Sequence, residues 1–295
     1  MKTIGFIGFG TMGSGMVQNL LKNGFNVIGY NRTKSKAEKI KHKNFSAANS
    51  PKEACENADI TVTCVSSDSA LNDVLFSEKG IFDVLDKKKI LIDCGTTSVE
   101  LTSKIAKECG KRGVRFLDAP ITGSKMGAEA GTLLFMAGGD EKDVKECMAV
   151  FNAMGRKLVY CGPNTFGQKA KIALNLTQAL MLQSCFEGLI LGVKNGVPLP
   201  TMIEIFENSG AKSGVGSVKI PKVLKRDFSP HFKLELMNKD VEFAMSEMQK
   251  LGLELPLSKE VAKVFRKAMV KGIGHEDFAS LAKLLEKDAG MELKG

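Results

Sequence analysis

The sequence predicts an α/β fold: a mainly parallel sheet wound with helices on both faces, followed by an all-helical domain. Three observations predict it. Through the first half, short apolar runs of strand length alternate with amphipathic segments of helix length, the rhythm of a parallel sheet covered on both sides. After Gly162-Pro163 that rhythm stops, and a proline-free helical pattern runs from about Thr165 to Asn195. Everything beyond reads as further helices. The expected division is an α/β domain over residues 1–163 and a helical domain over 164–295.

The predicted strands are "TIGFI" (3–7), "NVIGY" (26–30), "DITVTCV" (59–65), "KILIDC" (89–94), "VRFLD" (114–118), "LLFMAG" (133–138) and "KLVYC" (157–161). Helical segments such as 12–23, 34–42 and 98–112 lie between the earlier ones. The later strands follow one another closely, so part of the sheet is expected to turn antiparallel. The long helix would run about 45 Å and stops at Asn195-Gly196, with Pro198 behind it. Further helices are expected at 200–209, 215–224, 234–251, 256–271 and 275–287.

Composition narrows the function classes. Of 295 residues, 43% are hydrophobic and 25% charged, as in a soluble globular chain. No uninterrupted apolar run reaches the roughly 20 residues of a bilayer span, so no membrane association is expected. Met1-Lys2 leads straight into the first strand, which leaves no room for a targeting peptide; the expected location is the cytoplasm. The seven cysteines are scattered and never spaced C-x-x-C, and the three histidines are equally dispersed. That pattern argues against a zinc site or a disulfide framework and for metal-free chemistry. The net charge of +9 is read as spread along the chain, with "DKKK" (86–89) its densest piece. Such a field suits small acidic substrates and phosphorylated cofactors better than nucleic acid.

The turn after the first strand is "GFGTMG" (8–13). Gly8 permits a tight turn, Gly10 lets backbone approach a pyrophosphate, and Gly13 packs helix against strand. Thr11 and Met12 complete the loop, and the following helix aims its amides at the phosphates. A lone G-x-G-x-x-G is weak evidence. A strand before it, a helix after it and a second strand ending at Tyr30 make it a dinucleotide site. An acid usually closes that second strand and holds the ribose hydroxyls; here stand Asn31, Arg32 and Thr33. Asn31 does not repel a 2′-phosphate, and Arg32 and Thr33 can hold one through charge-assisted bonds. The expected cofactor is therefore NADP, with NADPH preferred over NADH. The other reading of "NRTKSK" is a solvated turn with a helix cap at Thr33.

Two more strand ends, "CVSSD" (64–68) and "DCGTT" (93–97), open on the same crevice, where such sheets bind ligands. Val65, Ser66 and Thr96 are candidates to line it, or plain loop residues. In "DAPITGSKMGAEAG" (118–131), Thr122, Gly123 and Ser124 offer amides and hydroxyls that can receive a carboxylate; a bulged connection is the alternative. Inside the long helix, Lys171 and Asn175 sit one turn apart on one face, continued by Gln178. That face either lines a cleft or meets solvent.

Taken in order, "GFIGFGTMG", "DAPITGS", "GQKAKIALN" and "KLELMNKDVEFA" (233–244) resemble the β-hydroxyacid dehydrogenases, the family of 3-hydroxyisobutyrate dehydrogenase, across the whole chain. "NRT" and "TGSK" look most like its glyoxylate/succinic semialdehyde reductase branch. The resemblance implies Lys171 as the catalytic lysine, oriented with help from Asn175, and Lys239 near the cofactor. It also implies substrate contacts from Thr122, Gly123 and Ser124, a cleft partly closed by the loop around Phe232, and a homodimer or homotetramer through the helical domain. Related 6-phosphogluconate dehydrogenases carry a histidine before the helix asparagine. Leu174 stands there, which argues against that substrate.

The expected reaction is NADPH-dependent reduction of a small aldehyde bearing a carboxylate. Lys171 would be its general acid, its proton loosened by partial burial and by Lys239. Glyoxylate and succinic semialdehyde lead; 3-hydroxyisobutyrate or tartronate semialdehyde chemistry is the alternative within the family. Outside it stand a non-catalytic NADP-binding protein of assembly or regulation, and an imine reductase on the same scaffold, which would usually replace that lysine.

Overall fold

The computed structural model describes residues 2–295. The chain forms two compact units, the first reaching to Lys171 and the second spanning Ile172–Gly295.

The first unit begins with β1 (Thr3–Ile7), α1 (Gly13–Lys22), β2 (Asn26–Tyr30), α2 (Lys34–Glu38), β3 (Phe45–Ala47), α3 (Pro51–Glu56), β4 (Ile60–Thr63) and α4 (Asp68–Phe76). It continues through β5 (Ile90–Asp93), α5 (Val99–Arg112), β6 (Arg115–Asp118), β7 (Ile121–Thr122), α6 (Ser124–Ala130), β8 (Leu133–Gly138), α7 (Glu141–Glu146), α8 (Met148–Met154) and β9 (Gly155–Gly162). The strands form one sheet in the order β3-β2-β1-β4-β5-β6-β8-β7, with β9 beside β8. From β3 to β6 all neighbours are parallel. β8 runs antiparallel to β6 and β7, then parallel to β9. This is the doubly wound Rossmann-type sheet, and the antiparallel turn falls among the later strands, as expected.

Alternation along β1 shows why both faces are covered. Ile4 and Phe6 enter one core with Met16, Leu20 and Phe151, while Ile7 enters the other with Leu71, Leu91 and Ile105. The order reverses between β1 and β4: β2 and β3 lie to one side of β1, and β4 and β5 to the other. The crevice at such a switch point lies beyond the strands' carboxyl ends.

The structure departs from the sequence reading in several places. The strand expected over 59–65 is limited to Ile60–Thr63, so Val65 and Ser66 lie beyond it. The helix expected over 34–42 stops at Glu38. Past it the chain is dense in cations at Lys39, Lys41 and Lys43, while Glu38, the one acid of the segment, lies 3.8 Å from Lys34 within the helix. The segment 118–131 is no simple turn: Ile121 and Thr122 pair with β8, and α6 starts directly after Gly123.

Helix α9 (Phe166–Lys194, 29 residues) crosses the division at Lys171. By length and composition it would suffice to cross a bilayer, and 33% of its most apolar stretch is buried. Leu182, Phe186 and Leu189 belong to the core of the second unit. α10 (Leu199–Glu207), α11 (Gly214–Leu224), α12 (Leu234–Leu251), α13 (Pro256–Val270) and α14 (Ala282–Ala289) complete this unit. The helix expected from 275 begins instead as a 3₁₀ turn over Phe278–Leu281, capped by Asp277.

Candidate functional site

The glycine turn is built by crowding at two positions and openness at a third. Gly8 holds φ +106°, and a Cβ there would collide with the Cys64 carbonyl; one at Gly13 would collide with the carbonyl of Gly8. One at Gly10 would meet no atom within 4 Å. The turn is thus forced down onto the neighbouring strand and its own helix, while Gly10 and Thr11 stay exposed. Met12 occupies the N-cap position without a side-chain cap, and the first turn of α1 carries no acid. Positive helix-end potential and approachable backbone together suit a pyrophosphate, so the residues present fit a dinucleotide.

Asn31 has a structural duty that the sequence did not suggest. Its Oδ1 accepts the Phe9 N–H at 2.8 Å, and its Nδ2 donates to the Thr33 carbonyl at 2.9 Å. One side chain thereby braces the glycine turn and the segment after β2 together. Arg32 is exposed and makes no hydrogen bond or ion pair among the described residues. Thr33 does stand at the N-cap of α2, but its hydroxyl makes no cap bond. The cations are also less evenly spread than the sequence reading held. Arg32, Lys34, Lys36, Lys39, Lys41 and Lys43 crowd the connection after β2 against the single acid Glu38, and all are exposed.

At the ends of β4 and β5, Val65 is half-buried, Ser66 exposed and Thr96 half-buried. Ser67 caps α4 by accepting the Ala70 N–H, and Asp68 accepts the Ser98 N–H at 3.1 Å, tying the two loops. Beneath Thr96 lies Asp93, 1% exposed. Its oxygens accept from the hydroxyls of Thr63 (2.8 Å) and Thr97 (2.6 Å) and from the Gly95 N–H (3.2 Å). Burial pushes the Asp93 carboxyl up to about 6, against the downward pull of those bonds.

The start of α9 is fastened to this rim. Asp118, wholly buried at the end of β6, accepts the N–H groups of Thr165 (2.8 Å) and Gln168 (3.0 Å). These are amides that a helix start leaves without a partner in its own helix. Burial holds the Asp118 carboxyl above the usual range. The Gln168 side chain then pairs with Gly95 and Thr97 on either side of Thr96. Lys171, one turn on, is 6% exposed, so the solvated-face reading does not apply to it.

Gly123 (φ +140°) and Ser124 (φ +60°) both lie in the left-handed half of backbone space. For serine that conformation is costly and persists where surrounding structure imposes it. Buried Asn19 donates to the Ala128 carbonyl at 2.7 Å and to that of Glu129 at 3.2 Å, clamping the far end of α6.

In the second unit, Asn175 is 1% exposed and donates to Asp240 Oδ2 at 2.6 Å. Lys239 donates to the other oxygen at 2.8 Å and lies 4.4 Å from the centre of the Phe243 ring. Asn175 and Lys239 are therefore joined through a buried carboxylate. Phe232 packs edge-on against Phe278 at 6.0 Å, and its N–H donates to Asp277 at 3.1 Å. Asp277 also accepts the His231 N–H at 2.9 Å and both its oxygens take the Lys219 ammonium, at 2.8 and 2.9 Å. The loop before α12 is thus anchored from beneath.

Sequence reasoning missed Asp93, Asp118, Gln168 and Asp240. Two left a signal: "ILID" and "RFLD" each end an apolar strand in an acid, a placement that needs buried donors. Gln168 and Asp240 stood inside quoted motifs without a role.

Comparison with known proteins agrees with this geometry. The NAD-binding domain of 6-phosphogluconate dehydrogenase matches residues 3–162, and the NAD-binding domain of NADP-dependent 3-hydroxyisobutyrate dehydrogenase matches 166–285. A probable mitochondrial 3-hydroxyisobutyrate dehydrogenase of Dictyostelium discoideum is 32% identical, over 97% of this chain and 92% of its own length. Glyoxylate/succinic semialdehyde reductase 1 of Arabidopsis thaliana is 31% identical, over 94% and 96%. The solved Mycobacterium tuberculosis 3-hydroxyisobutyrate dehydrogenase, with L-serine, superposes with a TM-score of 0.86 at 26% identity, covering 97% of this chain and 99% of that one. With the glycine turn, the switch-point crevice and the helix-borne lysine, these matches establish that the chain belongs to the β-hydroxyacid dehydrogenase family and is a nicotinamide-dependent oxidoreductase acting on CH–OH donors.

Proposed function

We propose that this enzyme reduces a small carboxylate-bearing aldehyde, such as glyoxylate or succinic semialdehyde, to the hydroxy acid with NADPH, Lys171 acting as general acid. The observation that carries the reading is the burial of Lys171 one turn after Gln168, whose side chain is bonded to both neighbours of Thr96. A bound NADPH supplies the hydride. The protein's part is positional and electrostatic. The Lys171 ammonium meets the aldehyde oxygen as negative charge grows there and passes it a proton from Nζ. Thr122, Gly123 and Ser124 receive the carboxylate with hydroxyls and amides, which leaves the aldehyde end as the reacting end. Asn175, one turn beyond Lys171, is held by Asp240 rather than left to rotate.

Lys171→Ala is expected to lower kcat by about 10²–10⁴-fold while NADPH still binds, read by cofactor fluorescence. Turnover at the wild-type rate would remove Lys171 from the chemistry. The NADPH preference rests on Arg32 and on the missing acid after β2. Arg32→Ala should weaken NADPH up to about fivefold, the ~1 kcal/mol at the upper end of what an exposed ion pair contributes, and affect NADH much less. Equal effects on both cofactors would make Arg32 a surface residue.

A second reading, oxidation of 3-hydroxyisobutyrate, is favoured by the name of the Dictyostelium relative. A kcat/KM panel over glyoxylate, succinic semialdehyde, tartronate semialdehyde and methylmalonate semialdehyde, with both cofactors, separates the two. We also propose a homodimer or homotetramer formed through the helical unit, supported by Leu191 of α9, which is 65% exposed. Sedimentation at working concentration tests it, and a monomer would refute it.

A further inference from the structure

The Gln168 side chain is fully buried and bonded to main chain. Its Oε1 accepts the Thr97 N–H at 3.1 Å, and its Nε2 donates to the Gly95 carbonyl at 2.8 Å. The amide takes the two main-chain groups that flank Thr96, much as an adjacent strand would. Its own N–H is held by Asp118. Gly167, just before it, has no space for a side chain between the carbonyls of Asp118 and Met136. Lys171 follows three residues later, about 4.5 Å further along the axis and on the same side of the helix.

We propose that Gln168 is a positioning residue for the reaction: its amide fixes Lys171 against the Thr96 loop by donating to Gly95 while accepting from Thr97. The inference rests on the reading of Lys171 as proton donor. A neutral amide performs both roles at once; few other side chains can. A carboxylate here would accept from Thr97 but meet the Gly95 carbonyl oxygen to oxygen. A carboxylic acid would restore both bonds. Gln168→Glu should therefore convert the brace into one that holds only when protonated. The titratable groups around this position are Asp93 on β5, Asp118 on β6, the buried Cys94 and half-buried Cys64 thiols at the ends of β5 and β4, and Lys171 on α9 itself. Burial and the two nearby carboxyls favour the protonated form of an introduced acid and the Lys171 ammonium opposes them; with the side chain fully buried the first two prevail, lifting it above the ordinary value of about 4.3.

The test measures kcat at saturating NADPH and aldehyde from about pH 5 to about pH 9 for the wild type, Gln168→Glu and Gln168→Met. It is read as the variant-to-wild-type ratio, so that titration common to both cancels. A misplacement on the ångström scale costs about 10²-fold. The Gln168→Glu ratio should thus be near about 0.01 at high pH and climb at least about tenfold as pH falls, while Gln168→Met stays low and flat. A Gln168→Glu ratio that is pH-independent, or wild-type kcat in Gln168→Met, overturns the proposal. Should Gln168→Glu fail to fold by circular dichroism, Gln168→Met decides alone. Loss of kcat with thermal midpoint and NADPH affinity retained supports the role; loss of NADPH affinity in step with kcat overturns it. A wild type inactive on every carboxylate aldehyde would instead defeat the substrate reading and would show before any ratio is taken.

Discussion

Removing the Asp277 carboxylate should unfold the helical unit far more readily than the loss of a single contact would suggest. Asp277 is 0% exposed and accepts two bonds from Lys219, plus the N–H groups of His231, Phe232 and Ala279. Lys219, 5% exposed, has its ammonium 4.4 Å from the Phe278 ring centre. Asp277→Ala therefore strands a buried cation, which costs about 3–5 kcal/mol. With an m value of about 3 kcal/mol/M in urea, the midpoint falls by about 1–1.7 M. Adding Lys219→Met removes the stranded charge and should recover at least about half of the loss, the remainder reflecting three N–H groups left without their acceptor. Far-UV circular dichroism follows the helices. Both tyrosines, Tyr30 and Tyr160, lie in the first unit and the chain has no tryptophan, so tyrosine fluorescence reports that unit separately. Burial already pulls Lys219 below the usual lysine range. In Asp277→Ala, which lacks the opposing pull, the folded state binds fewer protons than the unfolded, so stability should rise with pH. A double variant no better than Asp277→Ala, or a single variant that loses under about 1 kcal/mol, would refute the reasoning.

Two further perturbations probe the first unit. Gly10→Ala should keep the wild-type thermal midpoint and weaken dinucleotide binding, whereas Gly13→Ala should lower the midpoint itself, because of these two only Gly13 has backbone where a Cβ would stand; calorimetry with and without NADPH distinguishes them, and equal midpoints would count against the crowding argument. Asp93 is raised from 3.8 to about 6 by burial, so between those values the folded state holds more protons and its contribution to stability falls as pH rises, levelling off above; Asp93→Asn should flatten that slope in urea titrations, and an unchanged slope would show that Asp93 does not titrate there.

The sheet was legible where strands are apolar and of ordinary length. "ITVT" and "ILID" are buried at every position, and nothing but a covered sheet accommodates them. β3 was not legible, since "FSA" is three residues with two exposed, nor was the two-residue β7; such strands exist only because a neighbour supplies their hydrogen bonds. The short helices α3, α4, α6, α7 and α8 were not legible either: none exceeds nine residues, too brief for a clear period. At the site, the glycine turn was readable because its constraints lie within a few residues. The braces were not. Gln168 reaches back 73 positions to Gly95, and Asn175 reaches forward 65 to Asp240, spans over which no local pattern operates.

Because α9 runs unbroken through Gln168, Lys171 and Asn175, it works as a screw thread whose phase is fixed at one end. Inserting a single residue between Lys171 and Asn175 would turn everything downstream by about 100° and advance it about 1.5 Å. Seven added residues, close to two turns, would nearly restore the angle but not the span. Chimaeras that splice helical halves from sister enzymes should therefore tolerate many exchanged side chains along this rod, yet not one codon gained or lost within it.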